Sequence, residues 1–509
     1  MTPPIPLAAP GAPRPPLRRH PRRTTQVRRN LVVLAWLVAA AVLALIVLTG
    51  AREDWSPWLP LHALLLGGIG SAITTWSAHF ADTLLHRPAL GGAALLDARL
   101  YAHSLGAALV LVGATTGTGP LTLVGVGTVI LTALTGVLAI TVQYRRAIAP
   151  RMAALALHYA VALVLLAVGV SFGYLIMWTG ENSRADVSAA FYVAHTMTLL
   201  LGFVGITVLG TLTVLWPTML RTKMEPEAPR WASASLPVLV AGTALVAASG
   251  TWAPLAALGA LVYLGGAAGV LVPAWKTAGR VPPTSFATAS AAAAVLWFVA
   301  CVLWVGAGIS VAGTGLADPG AARGVIHAVR VPLAAGFALQ ILAAALSYLT
   351  PVMLGGGPAA TRATNAIMDR AAGYRLVTAN TCLLLAVLTP LAWPVRAVTG
   401  LVAAVVAAYV PVAMALSWVA LRRLPRRKGP DAVAPGGAAP GTGPTTRTPA
   451  GQTAPAMPAA PGPSSAGQTG PAQTSPAANG PALTSPAVTG PALTSPAQSP
   501  LDEKDAQDE

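Results

Sequence analysis

The chain has 509 residues, of which 55% are hydrophobic and only 9% charged, with a formal net charge of +16. So few charges, against about 25% in soluble domains, exclude a water-soluble globule and point to a multi-pass membrane protein. The basic excess does not argue for a nucleic-acid partner, because it gathers beside apolar runs, where cationic residues set topology.

The arm 1–30 is rich in Pro and Arg and has no apolar period. It is expected to be a disordered cytoplasmic segment lying against anionic headgroups. Apolar runs follow near 31–50, 58–79, 100–117, 120–142, 152–178, 188–216, 233–250, 252–275, 287–314, 324–350, 376–393 and 396–421. Each can cross a hydrocarbon core of about 30 Å, so twelve spans over 31–422 are expected. The first run exceeds the roughly 7–15 residues of a signal-peptide core and reads as a retained span. Arg145, Arg146 and Arg151 follow span four, Lys276 and Arg280 span eight, Arg362, Arg370 and Arg375 span ten, and a basic run from Arg422 to Lys428 the last. That alternation puts both termini in the cytoplasm. A composition heavy in Ala, Gly, Pro and Arg suggests a GC-rich bacterial genome and hence a bacterial plasma membrane. Cys301 and Cys382 both fall inside spans, so no disulfide framework is expected. From 423 to 509 the chain is Pro, Ala, Gly, Ser and Thr, with decapeptides GPAQTSPAAN, GPALTSPAVT and GPALTSPAQS and an acidic end. Too little apolar surface is present there to offset chain entropy, which predicts a disordered tail.

A repeat organises the spans. LLLGGIG at Leu64–Gly70 returns as LLLGFVG at Leu199–Gly205 and, more weakly, as PLAAGFA at Pro332–Ala338, so that Gly67, Gly202 and Gly336 recur at nearly equal intervals. Fifteen residues past each of these glycines come DTLL, PTML and PVML. Three four-helix units are the expected result. Upstream of each glycine stands one histidine: His62, His195 and His327. All three are expected at one depth near the outer surface, on spans running in the same direction. A histidine in a span is costly and usually faces the bundle interior, so the recurrence marks a candidate metal site. Gly67, Gly68 and Gly70 form a strip without side chains beside His62, where a neighbouring backbone or a flat ligand can approach closely. A second, inner site is suggested by His79, Asp82 and His86 at i, i+3 and i+7, with His103 and His158 at the same membrane face. The same residues also suit an interfacial helix end that meets water.

Twelve spans in three arcs, with LHALLLGGIGSAITTWSAHFADTLL, AHTMTLLLGFVGITVLGTLTVLWPTMLR and LQILAAALSYLTPVMLGGGPAATR, resemble the catalytic subunit of the haem-copper oxidase superfamily and NnrS-type membrane proteins over about 31–422. These motifs also resemble the membrane portion that precedes copper oxidase or copper nitrite reductase modules in actinobacterial proteins. The resemblance implies haem b held by His62 and His327, with Gly67, Gly70 and Gly336 clearing the macrocycle. Arg330, one turn below His327, would pair with a propionate or with an outer-loop carboxylate. It also implies copper at His195. The superfamily's paired histidines on span seven and H-x-H on span ten are missing, so a complete oxygen-reducing centre is not expected. Electron transfer, sensing or respiratory metal handling is the implied role, with a quinol, cytochrome or copper protein as redox partner. A metal-free twelve-span carrier and a scaffold or assembly subunit stand as rivals, and whether the chain is an enzyme stays open.

Overall fold

The computed structural model describes residues 22–52, 54–147, 150–312, 318–355, 357–388 and 393–423. The first 21 residues and the tail from 424 onward, with its decapeptides, lie outside the described residues.

The described chain is helical throughout, as lipid demands: no water is there to satisfy open backbone groups, so each span must bond to itself. The long helices are α1 (Arg22–Thr49), α2 (Trp58–Leu85), α3 (Gly92–Thr115), α4 (Gly119–Arg145), α5 (Ala156–Glu181) and α6 (Ala185–Met219). They continue as α7 (Ala228–Ala248), α8 (Leu255–Arg280), α9 (Phe286–Ala312), α10 (Pro319–Leu354), α11 (Ala372–Leu388) and α12 (Trp393–Arg423). Among the described residues, eleven of these are long and apolar enough to cross a membrane. The exception, α11, has 17 residues and borders residues that are not described. Each of the other helices coincides with an apolar run read from the sequence.

Helices adjacent in sequence pack as antiparallel hairpins, tightest where glycines meet. Gly106 of α3 and Gly125 of α4 each lie against the other's backbone carbonyl, and Gly242 of α7 and Gly259 of α8 fit against Tyr263 and Val246. Small residues let the backbones close on each other, which is how helices associate when lipid offers no hydrophobic drive. The helices α2, α6 and α10 touch one another at the centre, and α1 closes the bundle by packing on α2, α10 and α12.

One expectation is corrected at the start of the chain. The helix begins at Arg22, inside the arm assigned to disorder, because its polar residues find partners. Arg28 and Arg29 each hold Asp97 of α3 at 2.6 Å, and Asn30 accepts a hydrogen bond from the Trp76 indole. Neutralising these charges removes the reason for the segment to stay solvated.

Candidate metal site

The three sequence copies share an unusual local structure. Each central helix opens into a π-helical stretch: Ala63–Ile69 in α2, Thr198–Gly205 in α6 and Pro332–Leu339 in α10. Their first residues, Ala63, Thr198 and Pro332, keep the interval of the glycine motif. A π turn carries an extra residue, which rotates the following face by about 100° and turns a carbonyl out of the helix ladder.

Two of the exposed carbonyls are capped by side chains. His103 of α3 places Nε2 3.0 Å from the Leu66 carbonyl, donating its N–H, and the Tyr263 hydroxyl of α8 donates to the Leu201 carbonyl at 2.8 Å. Leu66 and Leu201 hold the same place in their copies of the motif, so these are equivalent caps. Gly70 and Gly205, likewise matched, make room for them: a Cβ on either would stand 2.5 Å from His103 Nε2 or Tyr263 Oη. At the third copy Leu339 replaces the glycine. The role of Tyr263 was not visible in the sequence, although the recurrence of Gly70 as Gly205 was a signal that something had to fit there.

Just above the π stretches, His62 and His195 face each other, with ring centroids 6.1 Å apart and ring planes 14° from parallel. His62 Nδ1 lies 2.9 Å from the Trp58 carbonyl, one turn back, and the Trp58 ring packs 4.1 Å from the imidazole. His195 Nδ1 lies 2.8 Å from the Gly169 carbonyl of α5. Gly173, one turn along α5, is needed for this placement, since a Cβ there would stand 2.9 Å from the His195 ring. A carbonyl only accepts, so both rings carry their proton on Nδ1 and keep the Nε2 lone pair. No hydrogen bond to either Nε2 is present among the described residues. This is the condition of a metal-ligating histidine, whose other nitrogen is held by a backbone carbonyl that fixes tautomer and orientation.

The spacing suits one ion. With metal–nitrogen bonds of about 2.0–2.1 Å and ring centres about 1.1 Å further out, two imidazoles trans across an ion have centroids about 6.2 Å apart. The 6.1 Å between the His62 and His195 centroids is of that size, and an ion shared by both would need each ring to turn its Nε2 edge toward the other, because the lone pair lies in the ring plane and the two rings are stacked.

His327, the partner expected for His62, is not part of this pair. It is exposed on α10, on one face with Arg323, whose guanidinium lies 4.9 Å from the Tyr192 ring, and with the half-buried Arg330. The reason is register. His62 precedes its π stretch by one residue, His195 by three and His327 by five, so the three hold different places in their copies and His327 stands four residues, more than a helical turn, further out than His62. The position equivalent to His195 on α10 is Val329, which is fully buried.

The glycines expected to clear a macrocycle are used otherwise. Gly67 and Gly68 pack against Trp36 and Leu37 of α1, Gly70 against His103, and Gly336 against Trp297 of α9 and Leu383 of α11. Helix packing, not an open slot, fills the strip.

The inner set does not assemble. Among the described residues, no three His, Cys, Asp or Glu side chains come together as a metal site. His79 is exposed beside Trp76, Asp82 accepts from Gln143 Nε2 at 2.7 Å, and His86 is the left-handed residue that ends α2. His103 is committed to its carbonyl cap, and His158 is buried with its ring against Gly210. Groups from α2, α3 and α5 were expected to converge there; they stay apart, and both ring nitrogens of His158 are buried without a hydrogen-bond partner.

No family model matches the sequence, and no curated protein is similar to it.

Proposed function

We propose that the chain is a twelve-span membrane protein that binds copper between His62 and His195 and serves in electron transfer; the packed glycine strip leaves no slot there for the macrocycle of haem b. The arrangement follows the haem-copper oxidase-like plan of three four-helix units, with both termini in the cytoplasm of a bacterial cell. The observation that carries the reading is the pair of facing imidazoles at 6.1 Å, each tied by Nδ1 to a carbonyl. The three π stretches at one period support three units over the two related halves of a secondary carrier.

The roles of the residues follow from their bonds. Trp58 and Gly169 hold the two imidazoles in the Nδ1–H tautomer, and Trp58 shields one face of His62 from solvent. A metal held there supplies one-electron redox chemistry. Two neutral imidazoles would leave the charge of a copper ion held there uncompensated, which would favour its lower oxidation state in a medium of low dielectric.

The deciding experiment is a visible absorption spectrum with metal analysis of protein expressed with ample haem and copper. His62→Ala and His195→Ala are each expected to abolish binding, and His327→Ala to leave it intact. Protein that carries no stoichiometric copper would remove this reading.

A further inference from the structure

The first turns of α10 carry groups that neither the bundle nor the histidine pair uses. Between Pro319 and Val331 the helix buries Ala322, Ile326 and Val329 against its neighbours. Arg323, His327 and Arg330, at i, i+4 and i+7, share another face, on which Arg323 and His327 are exposed and Arg330 is half-buried. Both guanidiniums act electrostatically on the His327 ring, so the three form one cluster. None of the three has a hydrogen bond or an ion pair among the described residues. The carboxylate nearest in the chain, Asp318, is turned to its own helix and accepts from the Ala321 N–H. Arg323 sits over the Tyr192 ring at 4.9 Å, a contact that engages its charge and none of its N–H groups.

Helix lengths fix the depth of this cluster. At about 1.5 Å per residue the 36 residues of α10 exceed a hydrocarbon core of about 30 Å by about 24 Å, or about eight residues at each end of a centred helix. The hydrocarbon then begins near His327, with Arg323 among the headgroups and Arg330 about one turn inside. The same arithmetic on the 35 residues of α6 and the 26 of α5 puts the edge near Tyr192 and near Trp178, residue types that gather at that level. Beside Arg330 stands Val331, 47% exposed, as suits a face turned to lipid. A guanidinium has five N–H donors and no acceptor of its own, and at that depth it cannot leave them unmet. The anionic oxygens within its reach are those of lipid phosphates, which the planar fork of an arginine matches in pairs.

We propose that Arg323, His327 and Arg330 bind the phosphodiester of an anionic phospholipid in the leaflet at the His62 end of the bundle. Arg323 meets the phosphate from the headgroup side and Arg330 from below, with His327 between them offering one N–H. An acidic protein arriving from solvent would suit Arg323 but not Arg330, which lies beneath the headgroups. The site is separate from the histidine pair, and either assignment can fail without the other.

The test uses the full chain in vesicles. Ala328 is exposed beside the cluster, so Ala328→Trp adds an indole there whose fluorescence is read as the difference from the unsubstituted protein. Vesicles made wholly of acyl-brominated phosphatidylcholine set the full scale of quenching; an added indole that they leave unquenched does not face lipid and overturns the proposal. In phosphatidylcholine with about one tenth acyl-brominated phosphatidylglycerol, quenching should reach about half of that scale, because two arginines at a membrane surface favour an anionic lipid by about tenfold or more. Quenching of about one tenth, the bulk proportion, overturns the proposal. Arg323→Gln with Arg330→Gln should bring it down to that level, whereas Arg145→Gln with Arg146→Gln, which removes the same charge from two exposed positions at the far end of α4, should not. A cluster variant that keeps the wild-type quenching also overturns it. Excess inorganic phosphate at constant ionic strength should leave the quenching unchanged; if it reverses the quenching, the cluster is a site for free anions and the lipid assignment falls.

Discussion

Replacing Gly205 with Ala tests whether the π carbonyl caps organise the central helices. A Cβ there would stand 2.5 Å from Tyr263 Oη and 2.9 Å from Phe298 Cζ, both rings being buried. The Tyr263 ring cannot swing into solvent, so the hydroxyl must leave the Leu201 carbonyl. Overpacking costs about 1–3 kcal/mol, and the lost bond adds about 0.6–1.7 kcal/mol, the range measured inside membrane bundles. The expected sum is about 2–5 kcal/mol. Tyr263→Phe alone forfeits only the hydrogen bond, about 0.6–1.7 kcal/mol, while removing the atom that the new methyl would strike. Gly205→Ala should therefore cost about 1–2 kcal/mol less in the Tyr263→Phe background than in the wild type. Reversible unfolding of the four proteins in mixed micelles measures the cycle. Costs that add to within about 0.5 kcal/mol would show that Gly205 and Tyr263 are independent and would refute the reasoning.

Gly70→Ala should behave like Gly205→Ala, displacing His103 from Leu66, whereas a change of Leu339 to Ala at the third copy should leave the caps untouched; a thermal midpoint for each variant checks this. Gly173→Val should drive the His195 ring from its place and lower metal content without deleting a ligand, read by absorbance and metal analysis alongside an unchanged helical circular dichroism signal. Arg99 is buried, bonded to the Thr132 carbonyl through Nε and without a partner at Nη2; Arg99→Met is expected to be neutral or stabilising, because an unpaired buried charge costs more than an apolar chain of similar volume. A loss above about 2 kcal/mol would reveal a partner for it. Asp97→Asn should loosen the start of α1 by about 1.5–3 kcal/mol, the worth of hydrogen bonds to charged groups, and expose Arg28 and Arg29 to trypsin.

The spans were legible because lipid allows so few solutions: a run of about twenty apolar residues has to be a helix. The period of the glycine motif was legible too, and it marks the π stretches to the residue. What the motif does was not legible. Gly70 and Gly205 look alike in sequence whether they admit a cofactor or a neighbour's side chain. The donors that use them, His103 and Tyr263, lie on other helices, α3 and α8, and no pattern in the chain ties either one to its glycine. The pairing of His62 failed for a related reason. The three histidines stand one, three and five residues ahead of their π stretches, and each step changes depth and face on the helix while leaving the sequence pattern nearly intact. Pro217 and Pro351, by contrast, fall inside the last turns of α6 and α10 as their shared position suggested.

The closure of the bundle by α1 has a consequence for biosynthesis. Asn30 donates to the Met353 sulfur at 3.2 Å across a separation of 323 residues, so α1 meets α10 only long after it has left the ribosome itself. At about 5–20 residues per second that interval is roughly 16–65 s, during which α1 has only α2 and α3 for company and one flank against lipid. The seam of α1 with α10 and then α12 is thus made late, and the Arg28 and Arg29 clamp on Asp97, available as soon as α3 is inserted, holds α1 in position until its distant partners arrive.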